Sequence, residues 1–218
     1  MSDFAARRVM MVDTQVRPSD VTKFPIIDAM LSVERENFVP SERREAAYVD
    51  GNLALSVGRV LLEPRTLAKM LDALNLQNDE LVLDIGSGYG YSAAIIAHIA
   101  QAVVALEADE AMVADAQTVL SDAGADSVIM NAGPLEAGVA EHGPYDVITI
   151  TGSLPSLPES FKQDLQIGGR LFAIIGEGPS MTAKLITRLN ANEWKEEVVF
   201  DTWQAPLKNA ASSKPFQF

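Results

Sequence analysis

One cluster of residues has the types and order to hold a small ligand. It is Asp84-Ile85-Gly86-Ser87-Gly88-Tyr89-Gly90-Tyr91, followed 23 positions after Asp84 by Glu107. Glycine lets a backbone turn tightly and approach a ligand, and a helix starting just after such a turn offers free N–H groups. The order D-x-G-x-G-x-G differs from the G-x-G-x-x-G of dinucleotide binders, because Tyr91 stands where the last glycine belongs. A carboxylate ahead of the turn repels a pyrophosphate but suits an amino-bearing ligand. A carboxylate ending the next strand, here Glu107, can accept both hydroxyls of a ribose. An amino acid and a ribose without a pyrophosphate describe S-adenosylmethionine. Two other readings of the turn stay open: a nicotinamide or flavin dinucleotide, and glycines present for geometry alone.

Other reactive residue types are sparse. His98 and His142 lie 44 positions apart with no clustered acids, so they read as structural and no metal site is expected. Ser153 and Ser156 follow a strand but lack the G-x-S-x-G of a nucleophile elbow. The absence of cysteine removes thiolate nucleophiles, thiolate zinc sites and disulfides. Glu63, beside Leu62, reads as a solvated acid at a helix entry, with a substituted polar group of the site as the alternative. Trp203 and Phe216-Gln217-Phe218 are aromatic groups that either close over the site or pack on the core. Of Tyr89 and Tyr91, one is expected to line the pocket and the other to pack under the helix.

These residues need elements to position them. From Leu81 the chain shows short apolar runs at 81–86, 102–107, 127–132, 145–151 and 168–176. Helix-length segments at 91–100, 109–123 and 155–165 separate them. Runs apolar on both faces, alternating with helices, indicate a doubly wound parallel sheet. Such sheets bind ligands at the carboxyl ends of the strands where the strand order reverses. Segments 183–189 and 196–203 alternate in polarity around Asn190-Ala191-Asn192-Glu193 and predict an antiparallel C-terminal hairpin. Residues 4–16, 21–33 and 65–74 read as helices, and 47–62 as irregular around Asp50-Gly51-Asn52. The expectation is one α/β domain over 1–218, Rossmann-like, with a helical N-terminal cap in 1–75 and the ligand-binding core in 76–218.

Composition narrows the class further. Hydrophobic residues make up 48% and charged residues 22% of 218, which fits a globular chain rather than a disordered one. The net charge of −13 is concentrated: residues 61–160 hold 2 lysines and arginines against 15 acids. Such a surface repels phosphate backbones, so a nucleic-acid partner is not expected. No apolar run approaches the ~18 residues of a membrane span, and the start lacks a secretory pattern, so a cytoplasmic location is expected.

Motifs along nearly the whole chain resemble the protein-L-isoaspartate O-methyltransferase family. Asp28-Ala29-Met30 and Val33-Glu34-Arg35-Glu36-Asn37-Phe38-Val39-Pro40 are similar to its "AM…VPRE-x-FVP" segment, and Ala47-Tyr48-Val49-Asp50 to "AY-x-D". Residues 82–91 resemble its first cofactor motif, and Pro144-Tyr145-Asp146 and Gly168-Gly169-Arg170-Leu171 its later ones. The resemblance implies a class I fold and an enzyme that transfers methyl from S-adenosylmethionine to a carboxylate. Isoaspartyl residues of damaged proteins are the implied acceptor; separately, a monomer or weak homodimer is expected. It further implies that Asp84, Gly86, Ser87 and Gly88 hold the methionine part and Glu107 the ribose. Adenine falls to Pro134 and Leu135, in a segment without the aspartate the family carries there. The family's loop "D-x-PLPIG-x-GQTISQP" departs here too. Val60 stands at its threonine, and Leu62 at the serine whose hydroxyl serves the acceptor carboxylate. No side chain is therefore assigned to catalysis. The alternative is a divergent member that binds S-adenosylmethionine but acts on another acceptor or as a regulatory module.

Overall fold

The computed structural model describes residues 3–208; the Phe216-Gln217-Phe218 tail lies outside the described residues. A seven-stranded sheet organises the chain. Its parallel part comprises β3 (Leu81–Ile85), β4 (Ala102–Glu107), β5 (Val128–Ala132), β6 (Tyr145–Leu154) and β7 (Leu165–Ile175). Two antiparallel strands, β8 (Met181–Asn190) and β9 (Glu193–Thr202), complete it in the order β5-β4-β3-β6-β7-β8-β9. The order reverses between β3 and β6, which puts the crevice of such sheets beside the ends of these two strands. Side chains alternate along β3. Val82 joins one core with the N-terminal cap, while Leu83 and Ile85 join the core on the other face. The outer strand β9 carries Glu193, Lys195, Glu196 and Glu197, and such charges deter pairing with another chain's edge.

The connecting helices are α4 (Tyr91–Ala97), α5 (Glu110–Asp122) and α6 (Glu159–Gln163). Gly90, at φ 90°, caps α4 in a backbone conformation that only glycine adopts without strain. Asp109 caps α5 by accepting from the backbone N–H groups of Ala111 and Met112. The segment expected as a helix over 155–165 gives only the five residues of α6. Pro155 and Pro158 delay its start, and β6 runs on to Leu154 instead.

The N-terminal third lies on the α4 face. α1 (Phe4–Met11) loosens into a π-helical turn over Val12–Val16 and a 3-10 turn over Arg17–Ser19, where Pro18 cannot continue the ladder. α2 (Phe24–Ser32) begins with Pro25 in its first turn. α3 (Pro64–Leu74) buries Leu67, Met70, Leu71 and Leu74 on one stripe and ends at Asn75 in the left-handed region. Each of those side chains contributes roughly 1.5–3 kcal/mol of gross burial. Between α2 and α3 the structure corrects the sequence reading. Segment 47–62 is not irregular throughout: β1 (Leu53–Ser56) and β2 (Arg59–Leu61) form a hairpin closed through Gly58 at φ 82°. The strands are too short for alternation to stand out in the sequence.

Candidate active site

β3 delivers Asp84 to the centre of the sheet, and the chain then turns through Gly86 at φ 78° and Gly88 at φ 59° into α4. Asp84 is fully buried and accepts hydrogen bonds from Ser92 Oγ at 2.6 Å and Thr149 Oγ1 at 2.7 Å. Burial pushes its carboxyl up to about 6, against the opposing pull of those two hydroxyls, and the nearby Glu107 charge adds to the rise. Glu107, also fully buried, ends β4 next to the turn. It accepts from the backbone N–H groups of Gly88, Ala108 and Asp109 at 2.7–3.2 Å. Asp84, Gly86, Ser87, Gly88 and Glu107 therefore converge at the β3/β6 crevice. Gly133 N–H donates to the Glu107 carbonyl, tying the segment after β5 to the same edge. There Pro134 is exposed, whereas Leu135 packs wholly into the second core.

Two residues at this crevice escaped the sequence reading. Arg59, in β2, places Nε 2.8 Å from both carboxylate oxygens of Glu107. Its Nη1 donates to the carbonyls of Gly58 and Lys208. Leu207 lies over the turn, so that a Cβ at Gly86 would sit 2.7 Å from Leu207 Cδ1. Arg59 and Glu107 are 48 positions apart in sequence, and no local spacing announces the pair. One signal was present: Arg59 is the only cation between Asp50 and Pro64, on the edge of the acid-rich middle of the chain.

The wall beside the turn is apolar. Phe38, Leu55, Val60, Leu62 and Leu67 line it, with Ser87, Ser92, Thr151 and both tyrosines as its polar members. Tyr91 is buried edge-on to Phe38 and beneath the Arg35 guanidinium, 4.7 Å from its ring centre; Tyr89 is half-buried. Both tyrosines thus line the pocket, where one was expected to. Arg35 is fully buried and donates to the carbonyls of Ala47 and Leu62 at 2.7 and 2.6 Å. Burial lowers its pKa. Its remaining Nη1 and the Tyr91 hydroxyl make no hydrogen bond of ordinary geometry among the described residues, and the cation acts on the phenol through its charge. Trp203 neither covers the site nor packs on the core; it is 53% exposed. His98 pairs with Asp28, and His142 lies 3.7 Å from Glu141, both away from the turn. Glu63 is largely buried at the start of α3, where it accepts from Thr66 Oγ1, rather than being a freely solvated acid.

The family model described as protein-L-isoaspartate(D-aspartate) O-methyltransferase matches residues 8–211. The chain belongs to this family. A curated relative, protein-L-isoaspartate O-methyltransferase 1 of Rhodopseudomonas palustris, is 35% identical over 207 residues, covering 94% of this chain and 84% of its own. A solved protein-L-isoaspartate O-methyltransferase superposes with a TM-score of 0.80 at 23% identity over 93% of this chain, which spans 66% of that longer one. The protein-L-isoaspartate O-methyltransferase of Plasmodium falciparum, solved with S-adenosyl-L-homocysteine, gives 0.79 at 21% identity and covers 96% and 100%. The last two establish the shared fold. Among the described residues no helix is long and apolar enough to cross a membrane.

Proposed function

We propose that this chain binds S-adenosylmethionine at the glycine turn and transfers its methyl group to a carboxylate, with isoaspartyl residues of proteins as acceptors. The observation that supports this best is the convergence of two buried acids on a positive-φ glycine turn, in a chain of this family. The residues fit the cofactor. Gly86 and Gly88 keep the cradle free of Cβ atoms, Glu107 suits the ribose hydroxyls, and Asp84 suits an ammonium. With its carboxyl near 6, Asp84 is largely ionised at pH 7 and can hold that ammonium. For adenine, Pro134 offers an exposed ring after β5, whereas Leu135, packed into the second core, offers only its backbone. When bound, the cofactor supplies an electrophilic methyl on a sulfonium.

The acceptor carboxylate is already a nucleophile, so no general base is needed and neither histidine has to be near. The chain's own contribution is alignment and exclusion of water. Phe38, Leu55, Leu62 and Leu67 supply the dry wall. What the wall lacks is a hydroxyl at 60 or 62 to orient the acceptor. One such bond to a charged group is worth ~1.5–3 kcal/mol, so the loss of one or both slows transfer by about one to three powers of ten. The reaction is therefore slow rather than absent. The test offers the protein and the cofactor a peptide with one isoaspartyl residue beside its ordinary aspartyl twin. A base-labile methyl ester on the isoaspartyl peptide alone supports the proposal. Equal methylation of both, or of neither, contradicts it.

A further inference from the structure

Four close approaches fill the cofactor crevice with the chain's own residues. Arg59 Nε takes both oxygens of Glu107, the pair expected to receive a ribose. Leu207 lies on Gly86, and Leu55 lies 3.0 Å from where a Gly88 Cβ would stand. The Lys208 side chain crosses the hairpin at Gly58. The cavity left at the turn is about 10 Å³, room for about one water molecule. The covering segment is held by the sheet itself. Ser153 N–H donates to the Ala205 carbonyl at 3.1 Å, Leu207 N–H returns a bond to the Ser153 carbonyl at 2.9 Å, and Pro206 bridges Ser153 in parallel. The lid has two halves, the β1–β2 hairpin and the 204–208 strap, and Arg59 joins them through Lys208.

We propose that Arg59 and Leu207 are internal competitors for the cofactor, so that S-adenosylmethionine binds only after Arg59 leaves Glu107 and the 204–208 strap leaves Gly86. The competition is direct, because the carboxylate that Arg59 holds is the one the ribose hydroxyls need. Glu107 keeps its three backbone N–H donors when Arg59 departs, so its charge is not stranded in the open form. Arg59 thereby sets cofactor affinity without touching the reacting atoms. This inference rests on the cofactor reading given above.

The test is calorimetric titration of S-adenosylhomocysteine into wild type, Arg59→Gln, Arg59→Lys and Leu207→Ala, each with a thermal melt. Arg59→Gln removes one charge-assisted pair and should tighten binding about ten- to hundredfold. Arg59→Lys keeps a cation opposite Glu107 and should stay near wild type. Leu207→Ala should also tighten binding, and it carries the test if Arg59→Gln does not fold. Hydrogen exchange gives an independent readout: the ligand should speed exchange in 204–208 while slowing it in 86–91. Folded Arg59→Gln and Leu207→Ala variants that both bind within about threefold of wild type, or a strap that the ligand protects, would overturn the proposal. If the folded double variant Arg59→Gln, Leu207→Ala binds nothing at millimolar ligand, the cofactor reading itself fails.

Discussion

Replacing Asp84 with Asn should stabilise the ligand-free protein at neutral pH while weakening cofactor binding. The carboxyl titrates near 6 in the fold against 3.8 when free, because burial disfavours its charged form. Between those values the folded state holds more protons than the unfolded one. Stability from this group is therefore complete below pH 3.8, falls as pH rises through 6, and is flat above. At ~1.36 kcal/mol for each pH unit between the two, the full loss is roughly 3 kcal/mol, and Asn escapes it. The amide can be satisfied in place. Ser92 keeps donating to the oxygen, and Thr149 can accept from the new NH2 while turning its hydroxyl to the Leu83 carbonyl, 3.4 Å away. Urea denaturation of both proteins from pH 4 to pH 8 reads the effect. The gain of Asp84→Asn should be small at pH 4 and approach 2–3 kcal/mol at pH 8, as an order of magnitude. A gain that does not change with pH, or a variant less stable than wild type at pH 8, would refute the assignment of a strained buried carboxylate.

Three further outcomes are expected. Val60→Thr with Leu62→Ser should raise isoaspartyl turnover by about one to three powers of ten, through one or two new bonds to the acceptor; unchanged turnover in a folded variant would show that the wall does not face the acceptor. Gly86→Val forces a side chain into the left-handed region and against Leu207, so thermal melting should drop and S-adenosylhomocysteine binding should disappear. Lost stability with retained affinity would make the glycine a turn residue only. Arg35→Lys cannot span the Ala47 and Leu62 carbonyls with one ammonium, so urea denaturation should show a loss of about 2–3 kcal/mol; a loss under about 0.5 would mean the buried guanidinium does not hold the hairpin to the cap.

The sheet was legible because its strands are continuous apolar runs. β3, β4 and β6 start within a residue of where hydrophobicity alone puts them. Asp84 and Glu107 were legible for a related reason. A lone acid at the carboxyl end of a buried strand has no packing rationale, and two of them at neighbouring strand ends point to a ligand. What stayed hidden depends on long-range closure. Arg59 and Leu207 reach the turn from a three-residue strand and from beyond the last strand, and nothing within 10 residues of either names a partner. The β1–β2 hairpin was missed because its register slips at Ser56, which breaks an alternation already only four residues long. Arg35 lay inside a recognised motif, yet its burial without a carboxylate partner is a fact of tertiary packing.

The most direct measurement is a crystal structure of the wild-type chain with S-adenosylhomocysteine. The ribose hydroxyls should lie on the Glu107 carboxylate, the amino group should face Asp84, and Arg59 and Leu207 should have moved off Glu107 and Gly86. A ligand bound elsewhere, or one seated at the turn with Arg59 still paired to both Glu107 oxygens, would contradict the site and the closure described for it.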